Sequence, residues 1–313
     1  MRAKHLAPDG CLKPGLKIIG GKQGQTKVSV RSVIYSELPD GLDSYIEPFL
    51  GSGSVVVGKP RHSIETVGDI NPWVINYFNV VRDNPGEFWD ELSRRLCNLS
   101  EETFQSAKAQ LSRFSESLLG HHVNLAVDYY IVTKLANNGI VRYNKSGSCN
   151  STFCKTVAGR GFFTQEWLKL LSDRIQGLEF LHADYVNTIQ HGLSRVKNLE
   201  KSLIYVDSPY MTEFTEYFVK WRTDDHLRLK SVVDELSAFG VKFLISYNND
   251  PRVLELYKGY LIHELDTHWC CSNTSDGRGV KVEYLISNYR LKNLHPIYTE
   301  PVDREGFVYG SNS

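Results

Sequence analysis

The sequence predicts an α/β fold: a mostly parallel sheet with helices on its faces. Short apolar runs rich in β-branched and aromatic residues alternate with helical patterns along most of the chain. The run Leu203-Ile204-Tyr205-Val206 is apolar throughout, as a strand covered on both faces must be. One stretch breaks the rhythm: from about Asn84 to Leu135 the pattern reads as consecutive helices, which marks an insertion.

Taken in order, strands are expected at Tyr45–Phe49, Ile64–Val67, Glu179–His182, Leu203–Val206, Phe243–Ser246, Tyr260–Leu265 and Glu283–Ser287. Helices are expected between most of them, at Pro72–Val81, Phe163–Ile175, Thr223–Phe239 and Pro251–Tyr257. Within the break, three helices are expected at Pro85–Cys97, Glu101–Leu118 and His122–Asn137. A polar, Gly- and Ser-rich segment, Asn137–Gly161, follows with a hairpin or long loop. Residues 82–161 therefore read as an inserted, mainly helical domain, and 1–81 with 162–313 as the surrounding domain.

Composition narrows the class. With 41% apolar and 23% charged residues among 313, the chain is an ordinary globular one. No apolar run approaches the roughly 20 residues that span a bilayer, so no membrane partner is expected. Met1-Arg2-Ala3-Lys4-His5 leads into Pro and Gly without an apolar signal region. The six cysteines include no CxxC pair, and no Cys/His spacing suits zinc; no metal and a reduced cytoplasmic setting are the expectation. Lys+Arg and Asp+Glu balance at 36 each, which argues mildly against a nucleic-acid binder. The charge is local, however. Between Tyr129 and Gln165 there is no acid, while Lys134, Arg142, Lys145, Lys155 and Arg160 fall inside; this is either a phosphate-facing surface or a solvated loop.

Two motifs carry chemistry. Ile46-Glu47-Pro48-Phe49-Leu50-Gly51-Ser52-Gly53-Ser54 is a strand running into a Gly-rich turn, which lets backbone approach a ligand closely ahead of a helix N-terminus. The next strand ends at Gly68-Asp69-Ile70-Asn71, where an acid is placed to accept hydrogen bonds from ribose hydroxyls. Together these point to an adenosyl cofactor; the competing role for Asp69 is capping the helix that Asn71-Pro72 opens. GxGxxG and GxxxxGK[ST] are both missing, which disfavours NAD and a nucleoside triphosphatase.

The second motif, Asp207-Ser208-Pro209-Tyr210, ends the apolar Leu203–Val206 run, where ligands bind in open α/β sheets. Methylating an exocyclic amine needs the nitrogen lone pair, which is delocalised into the base. Asp207 supplies one acceptor for the amino hydrogens and the Ser208 carbonyl a second. Pro209 stiffens the turn, and Tyr210 offers a face on which an extruded base can stack.

These residues resemble the Dam-like (D12, α-group) DNA adenine-N6 methyltransferases over almost the whole chain. Asp207–Tyr210 is similar to that family's Asp-Pro-Pro-Tyr motif, with Ser208 for the first proline. Leu16–Lys22 resembles its N-terminal cofactor motif, Glu47–Ser54 its EPF-x-G-x-G-S motif and Gly68–Asn71 its following acid. Asn138–Asn144 resembles its DNA-recognition hairpin, His182–Tyr185 its adenine-contacting motif and Lys281–Tyr289 its closing strand.

The resemblance implies a Rossmann-like S-adenosylmethionine-dependent methyltransferase fold, a seven-stranded mixed sheet with an inserted helical target-recognition domain. It implies S-adenosylmethionine as cofactor, held by Ile18, Lys22, Pro48, Phe49, Gly51, Ser52, Gly53, Asp69, Ile70, Asp184, Tyr185 and Asp207. It also implies duplex DNA as partner. Asn138, Ile140 and Arg142 would face bases, with Lys17 reaching one from the N-terminal motif and Asn144 on a phosphate; Asn137, Lys145, Lys155 and Arg160 complete the expected DNA-binding set. Three residues depart from the family: Ser208 loses a proline's rigidity, Ile18 replaces a tryptophan, and Asn137 stands where an intercalating aromatic is common.

The function expected is methyl transfer to the N6 amine of a flipped adenine in duplex DNA, in a solitary or a restriction-modification setting. A cytosine-N4 or RNA-adenine enzyme, and a DNA-binding homologue without catalysis, are the alternatives. A cytosine-C5 enzyme would need a Pro-Cys nucleophile, and the chain has no Pro-Cys pair. Trp73, Trp89, Trp167, Trp221 and Trp269 read as core or interface residues, His121-His122 as a surface pair. Thr212–Phe218 reads as a packed or closing loop, and Ser272–Gly279 as a loop before the last strand.

Overall fold

Every residue of Ser202–Val206 is buried, and this strand stands at the middle of the sheet. The computed structural model describes residues 5–18, 20–22, 29–112, 121–137, 141–144, 149–154, 161–211, 218–219, 221–269 and 279–297. Its strands are β1 (Ser44–Glu47), β2 (Ile64–Asp69), β3 (Glu179–His182), β4 (Ser202–Val206), β5 (Lys242–Asn248), β6 (Leu261–Trp269) and β7 (Gly279–Ser287). Its helices are α1 (Val30–Glu37), α2 (Ser54–Gly58), α3 (Pro72–Asp83), α4 (Pro85–Leu96), α5 (Glu101–Leu111), α6 (Val123–Leu135), α7 (Gln165–Ile175), α8 (Tyr185–Ser194), α9 (Thr223–Ala238) and α10 (Pro251–Leu256).

The strands form one seven-stranded sheet in the order β3-β2-β1-β4-β5-β7-β6. The first five are parallel; β7 is antiparallel to both β5 and β6. Chain order runs outward to β3 on one side of β1 and outward through β5 on the other. The switch point therefore lies between β1 and β4, where the helices leave in opposite directions and a crevice opens at the carboxyl ends.

Alternation along the strands divides the core. Tyr45, Val67, Leu203, Tyr205, Leu244 and Leu285 pack in one hydrophobic cluster with α2, α3, α6 and α7. Ile46, Ile204, Val206, Phe243, Ile245 and Ile286 pack in a second, with α8, α9 and α10. The inserted helices join the first: Phe88 and Leu92 of α4, Phe104 and Leu111 of α5 and Tyr129–Val132 of α6 belong to the same continuous cluster as the sheet. The segment after α6 pairs as a hairpin, with bridges Ala136↔Phe153 and Tyr143↔Cys149 and the Asn150 N–H donating to the Arg142 carbonyl.

All seven expected strands are found, with ends displaced by up to four residues, the largest shift being the extension of β6 and β7 into a long antiparallel pair. The three expected inserted helices are found as α4, α5 and α6; residues 113–118, expected to continue α5, lie outside the described residues. Helices α1 and α8 are corrections to the sequence reading, which left both segments unassigned. Both are short, and both mix polar or small residues into the buried face, Arg31 and Glu37 on α1 and Thr188 and Gly192 on α8. Caps start them instead: the Ser29 side chain accepts from the Ser32 N–H, and Asp184 from the Asn187 N–H.

A buried pair fixes the N-terminal segment to this frame. Arg31 on α1 donates to both Asp9 carboxylate oxygens, through Nε at 2.7 Å and Nη2 at 2.8 Å, and also to the Leu12 and Ser54 carbonyls. Bidentate pairing of this kind is strong and geometrically exacting. It ties the segment around Asp9 to α1 and to the start of α2, and Ile18, Gly20 and Gly21 farther along line the crevice. No described helix is long and apolar enough to cross a membrane.

Candidate active site

At the switch point the carboxyl ends of β1, β2 and β4 surround a cavity of about 550 Å³, a size that suits a nucleoside-bearing ligand. The Gly-rich turn after β1 forms one side. Gly53 sits at φ 70°, and a Cβ there would lie 2.5 Å from the Phe78 ring, so glycine is required twice over. The Gly51 N–H donates to Asp69 Oδ2 at 2.8 Å, and the Asn71 N–H to Asp69 Oδ1 at 2.8 Å. Asp69 is thus clamped at the end of β2 with its carboxylate on the cavity wall. Burial raises its pKa, and the two N–H donors work against that shift. It does not cap α3; the Asn71 side chain does, accepting from the Trp73 N–H at 3.0 Å.

Aromatic rings wall the outer side. Phe49 stacks on Tyr185 at 5.4 Å and meets Trp221 edge-on at 5.5 Å. Trp221 lines the cavity, a correction to its reading as a core or interface residue. Its indole N–H donates to His226 Nδ1 at 3.1 Å; burial pulls that imidazole down to about 4, so it is neutral and able to accept. Trp73 and Trp167 are buried in the core as expected, while the Trp269 side chain lies outside the described residues.

Asp207 closes the inner end. Lys22 Nζ donates to Asp207 Oδ1 at 2.7 Å, to the Tyr210 hydroxyl at 2.5 Å and to the Gly20 carbonyl at 3.3 Å. Burial pushes Asp207 up to about 6, with the Lys22 ammonium pulling it down and Glu283 adding to the rise. Glu47, also on the wall, is pushed up to about 8 by burial, against the Tyr45 hydroxyl that donates to its Oε2 at 2.7 Å. The corner therefore presents an acceptor at the end of β4, held by a buried ammonium, beside a second carboxyl that is mostly protonated at neutral pH.

Of the residues singled out in the sequence, Ile18, Pro48, Phe49, Gly51, Ser52, Asp69, Ile70, Asp184 and Tyr185 line this cavity, as do Asp207, Ser208, Pro209 and Tyr210. Lys22 and Gly53 stand behind the wall, Lys22 as the partner of Asp207 and Gly53 as the N-cap of α2. Sequence reasoning passed over Glu47, Val141, Tyr143 and Arg228, which also line it. Tyr143 was legible only as part of the recognition motif; its hydroxyl lies 3.5 Å from the Asn71 amide nitrogen, and its ring meets Phe218 edge-on at 4.9 Å.

Around the same mouth, Lys17 is half-buried, and Asn137, Arg142 and Asn144 are exposed. Asn138, Ile140, Lys145, Lys155 and Arg160 lie outside the described residues, as do 212–217 and 272–278 of the two expected loops. Lys134 donates to the Gly161 carbonyl at 3.1 Å and lies 5.4 Å from the Trp167 ring centre, with Lys13 at 5.7 Å on the same ring. Burial, with repulsion from Lys13 and Lys17, lowers Lys134 to about 7. His121 is exposed and 3.2 Å from Asp83, a surface residue as expected.

Sheet order, switch-point cavity, Gly-rich turn, the clamped Asp69 and strand-end Asp207 together define a Rossmann-like methyltransferase. Residues 21–268 match the sequence profile of the D12 class N6 adenine-specific DNA methyltransferases, and the chain belongs to that family. It is accordingly an adenine-specific DNA methyltransferase. The chain is 26% identical over 281 residues to a DNA adenine methylase of Vibrio cholerae serotype O1, covering 87% of this chain and 94% of that one. It is 25% identical over 300 residues to a type II methyltransferase of Methanocaldococcus jannaschii, covering 89% and 99%. A retron DNA adenine methylase of Escherichia coli is 24% identical over 245 residues, covering 77% and 81%.

Proposed function

We propose that the chain transfers the methyl group of S-adenosylmethionine to the N6 amine of an adenine turned out of duplex DNA, with Asp207 as the acceptor that orients the amine. The observation that carries this reading is Asp207 itself, held by Lys22 at the carboxyl end of β4 and facing one cavity with Asp69 and the aromatic wall. The residues present fit the donor. Asp69 offers a clamped carboxylate for ribose hydroxyls, Phe49 and Ile18 offer apolar surface for an adenine ring, and Asp184 offers an acceptor for its amine. When bound, S-adenosylmethionine supplies an electrophilic methyl on a sulfonium.

Asp207 Oδ and the Ser208 carbonyl would each accept an amino hydrogen of the target, freeing the nitrogen lone pair for in-line attack. Tyr210 and Pro209 shape the slot for the base. Positioning and water exclusion supply most of the rate, and the proton leaves after transfer. Residues 82–161 act as the target-recognition domain. Arg142 reads a base edge, and Lys17, Lys134 and Asn144 meet phosphates or bases alongside it. A cytoplasmic setting and a restriction endonuclease counterpart are both compatible with this reading.

The test is transfer of labelled methyl from S-adenosylmethionine to unmethylated genomic DNA, followed by nucleoside chromatography, with Asp207→Ala as control. Label in N6-methyladenine that vanishes in the variant supports the reading. Label in N4-methylcytosine would sink it, and so would unlabelled DNA that is nonetheless bound.

A further inference from the structure

Among the described residues, the reacting corner sets two carboxylates against one ammonium. Lys22 Nζ lies 2.7 Å from Asp207 Oδ1 and 3.8 Å from Glu283 Oε2. Lys22 and Glu283 are each only 3% exposed. Among the described residues the ammonium donates to Asp207, to Tyr210 and to the Gly20 carbonyl. Glu283 thus acts on Lys22 through charge at a distance too long for a hydrogen bond, and its Oε2 has no hydrogen-bond partner among the described residues. A carboxylate buried in this state is costly and is not explained by packing.

Topology explains how Glu283 comes to be there. A parallel strand beside β5 would bring its last residues to the carboxyl edge of the sheet. β7 is antiparallel, so its early residues reach that edge, with Glu283 paired opposite Asn248, the last residue of β5. Tyr284 and Ile286 point into the cluster beneath α9, and Glu283 with Leu285 faces the opposite side, where Lys22 lies.

Charge accounting then gives a role. Lys22 cancels Asp207, and the pair alone carries no net charge. Glu283 returns one negative charge to the corner. The reaction read above carries one positive charge throughout. The N–C bond forms from the amine lone pair as the C–S bond breaks with its electrons left on sulfur, so the charge passes to nitrogen, and the amine proton then goes to solvent. The product donor is neutral.

Resting on that reading of the donor, we propose that Glu283 is a positioning residue: acting through Lys22, it keeps the catalytic corner net negative, so that the site favours a cationic donor over its neutral product and Asp207 stays aimed at the amine. Besides Lys22 and Asp207, the titratable groups facing this cluster are Tyr205 on β4, Tyr210 after it and Glu47 on β1.

The experiment compares wild type with Glu283→Gln and Glu283→Asp in the full chain. Calorimetry measures affinity for sinefungin, which carries an amine cation in place of the sulfonium methyl, and for the neutral S-adenosylhomocysteine. Glu283→Gln should weaken sinefungin about tenfold and leave the neutral ligand within about twofold, while kcat falls about tenfold. The acid limb of the pH–rate profile should move to lower pH, because a charge that opposes ionisation of Asp207 is gone. Glu283→Asp should keep the wild-type ratio of affinities, and it carries the test if the glutamine variant does not fold. Equal weakening of both ligands, an unmoved acid limb, or a changed ratio in Glu283→Asp would overturn the proposal. A wild-type chain that binds neither ligand would overturn the donor reading along with it.

Discussion

Arg142 and Tyr143 are neighbours in sequence that face opposite ways: Arg142 is exposed, and Tyr143 lines the cavity with its hydroxyl 3.5 Å from the Asn71 amide. Val141 and Tyr143 build pocket wall while Arg142 and Asn144 face outward, the two-residue alternation of an extended strand. We predict that the two substitutions separate. Arg142→Ala should cost about 1–3 kcal/mol on a cognate duplex and relax preference at one base position. Tyr143→Phe should leave that preference intact and weaken donor binding a few-fold, on the order of one lost hydrogen bond. Competition between duplexes differing at single positions, alongside calorimetry with S-adenosylhomocysteine, checks both halves; a specificity change in Tyr143→Phe would refute the separation.

Asp207→Asn keeps the shape of the side chain and removes its charge. Transfer should fall by about 10²–10³, as for other single preorganised groups. Binding of duplex DNA in a gel shift should stay within about threefold. Transfer retained within a factor of about ten would show that the Ser208 carbonyl suffices.

The pH dependence follows from the same residue. Burial raises Asp207 to about 6 from its ordinary 3.8, and in the proposed reaction its working form is the carboxylate. Single-turnover kcat/KM should therefore rise with pH through about 6 and level off above it. Stability runs the opposite way for this group. The folded chain holds the proton more tightly than the unfolded one, so the contribution is fully present below 3.8 and is lost as pH rises through about 6. An acid limb below pH 5 would contradict the assignment of Asp207 to that step.

Gly53→Ala should destabilise the chain by about 1–3 kcal/mol, because φ 70° and a Cβ 2.5 Å from Phe78 are both unfavourable. Urea midpoints measure this. Gly51→Ala meets no atom within 4 Å, so its cost should be limited to the strain of φ 50° and be the smaller of the two. The reverse order would mean that the close approach to Phe78 is relieved.

Lys134 is held near neutrality, lowered to about 7 by burial and by Lys13 and Lys17. A phosphate beside it would restore its full charge. Lys134→Ala should weaken all duplexes by a similar factor and reduce the slope of log affinity against log salt by about one. An unchanged slope would place this lysine away from DNA.

Much of this was readable before the structure. Leu203–Val206 announced a buried strand, and its polar stop at Asp207 announced the site, because burial on both faces leaves no polar position except at the end. Gly51, Gly53 and Asp69 were legible for a similar reason, since each residue type is needed by a backbone turn or a clamped acceptor. Lys22 was read as a cofactor contact; its Nζ donates to Asp207, Tyr210 and the Gly20 carbonyl, partners that the local pattern does not name. Trp221, Tyr143 and Glu283 were not assigned to the corner. Their roles depend on which strand lies beside which and on the direction of β7, and a local pattern carries neither.

The core shared between the inserted helices and the sheet has a practical meaning for engineering. Because Phe88, Phe104 and Tyr130 belong to the same core cluster as residues of β1 and β4, the described part of 82–161 is packed continuously with the sheet and should melt with it in one transition. A transplant of target preference between relatives at those boundaries would cut through packed aromatic rings. On the proposed reading of the hairpin, the workable cut is smaller: the exposed positions Arg142 and Asn144, exchanged while the cavity-lining Val141 and Tyr143 are kept. Preference for a DNA word can then drift over evolutionary time without the donor pocket having to be rebuilt.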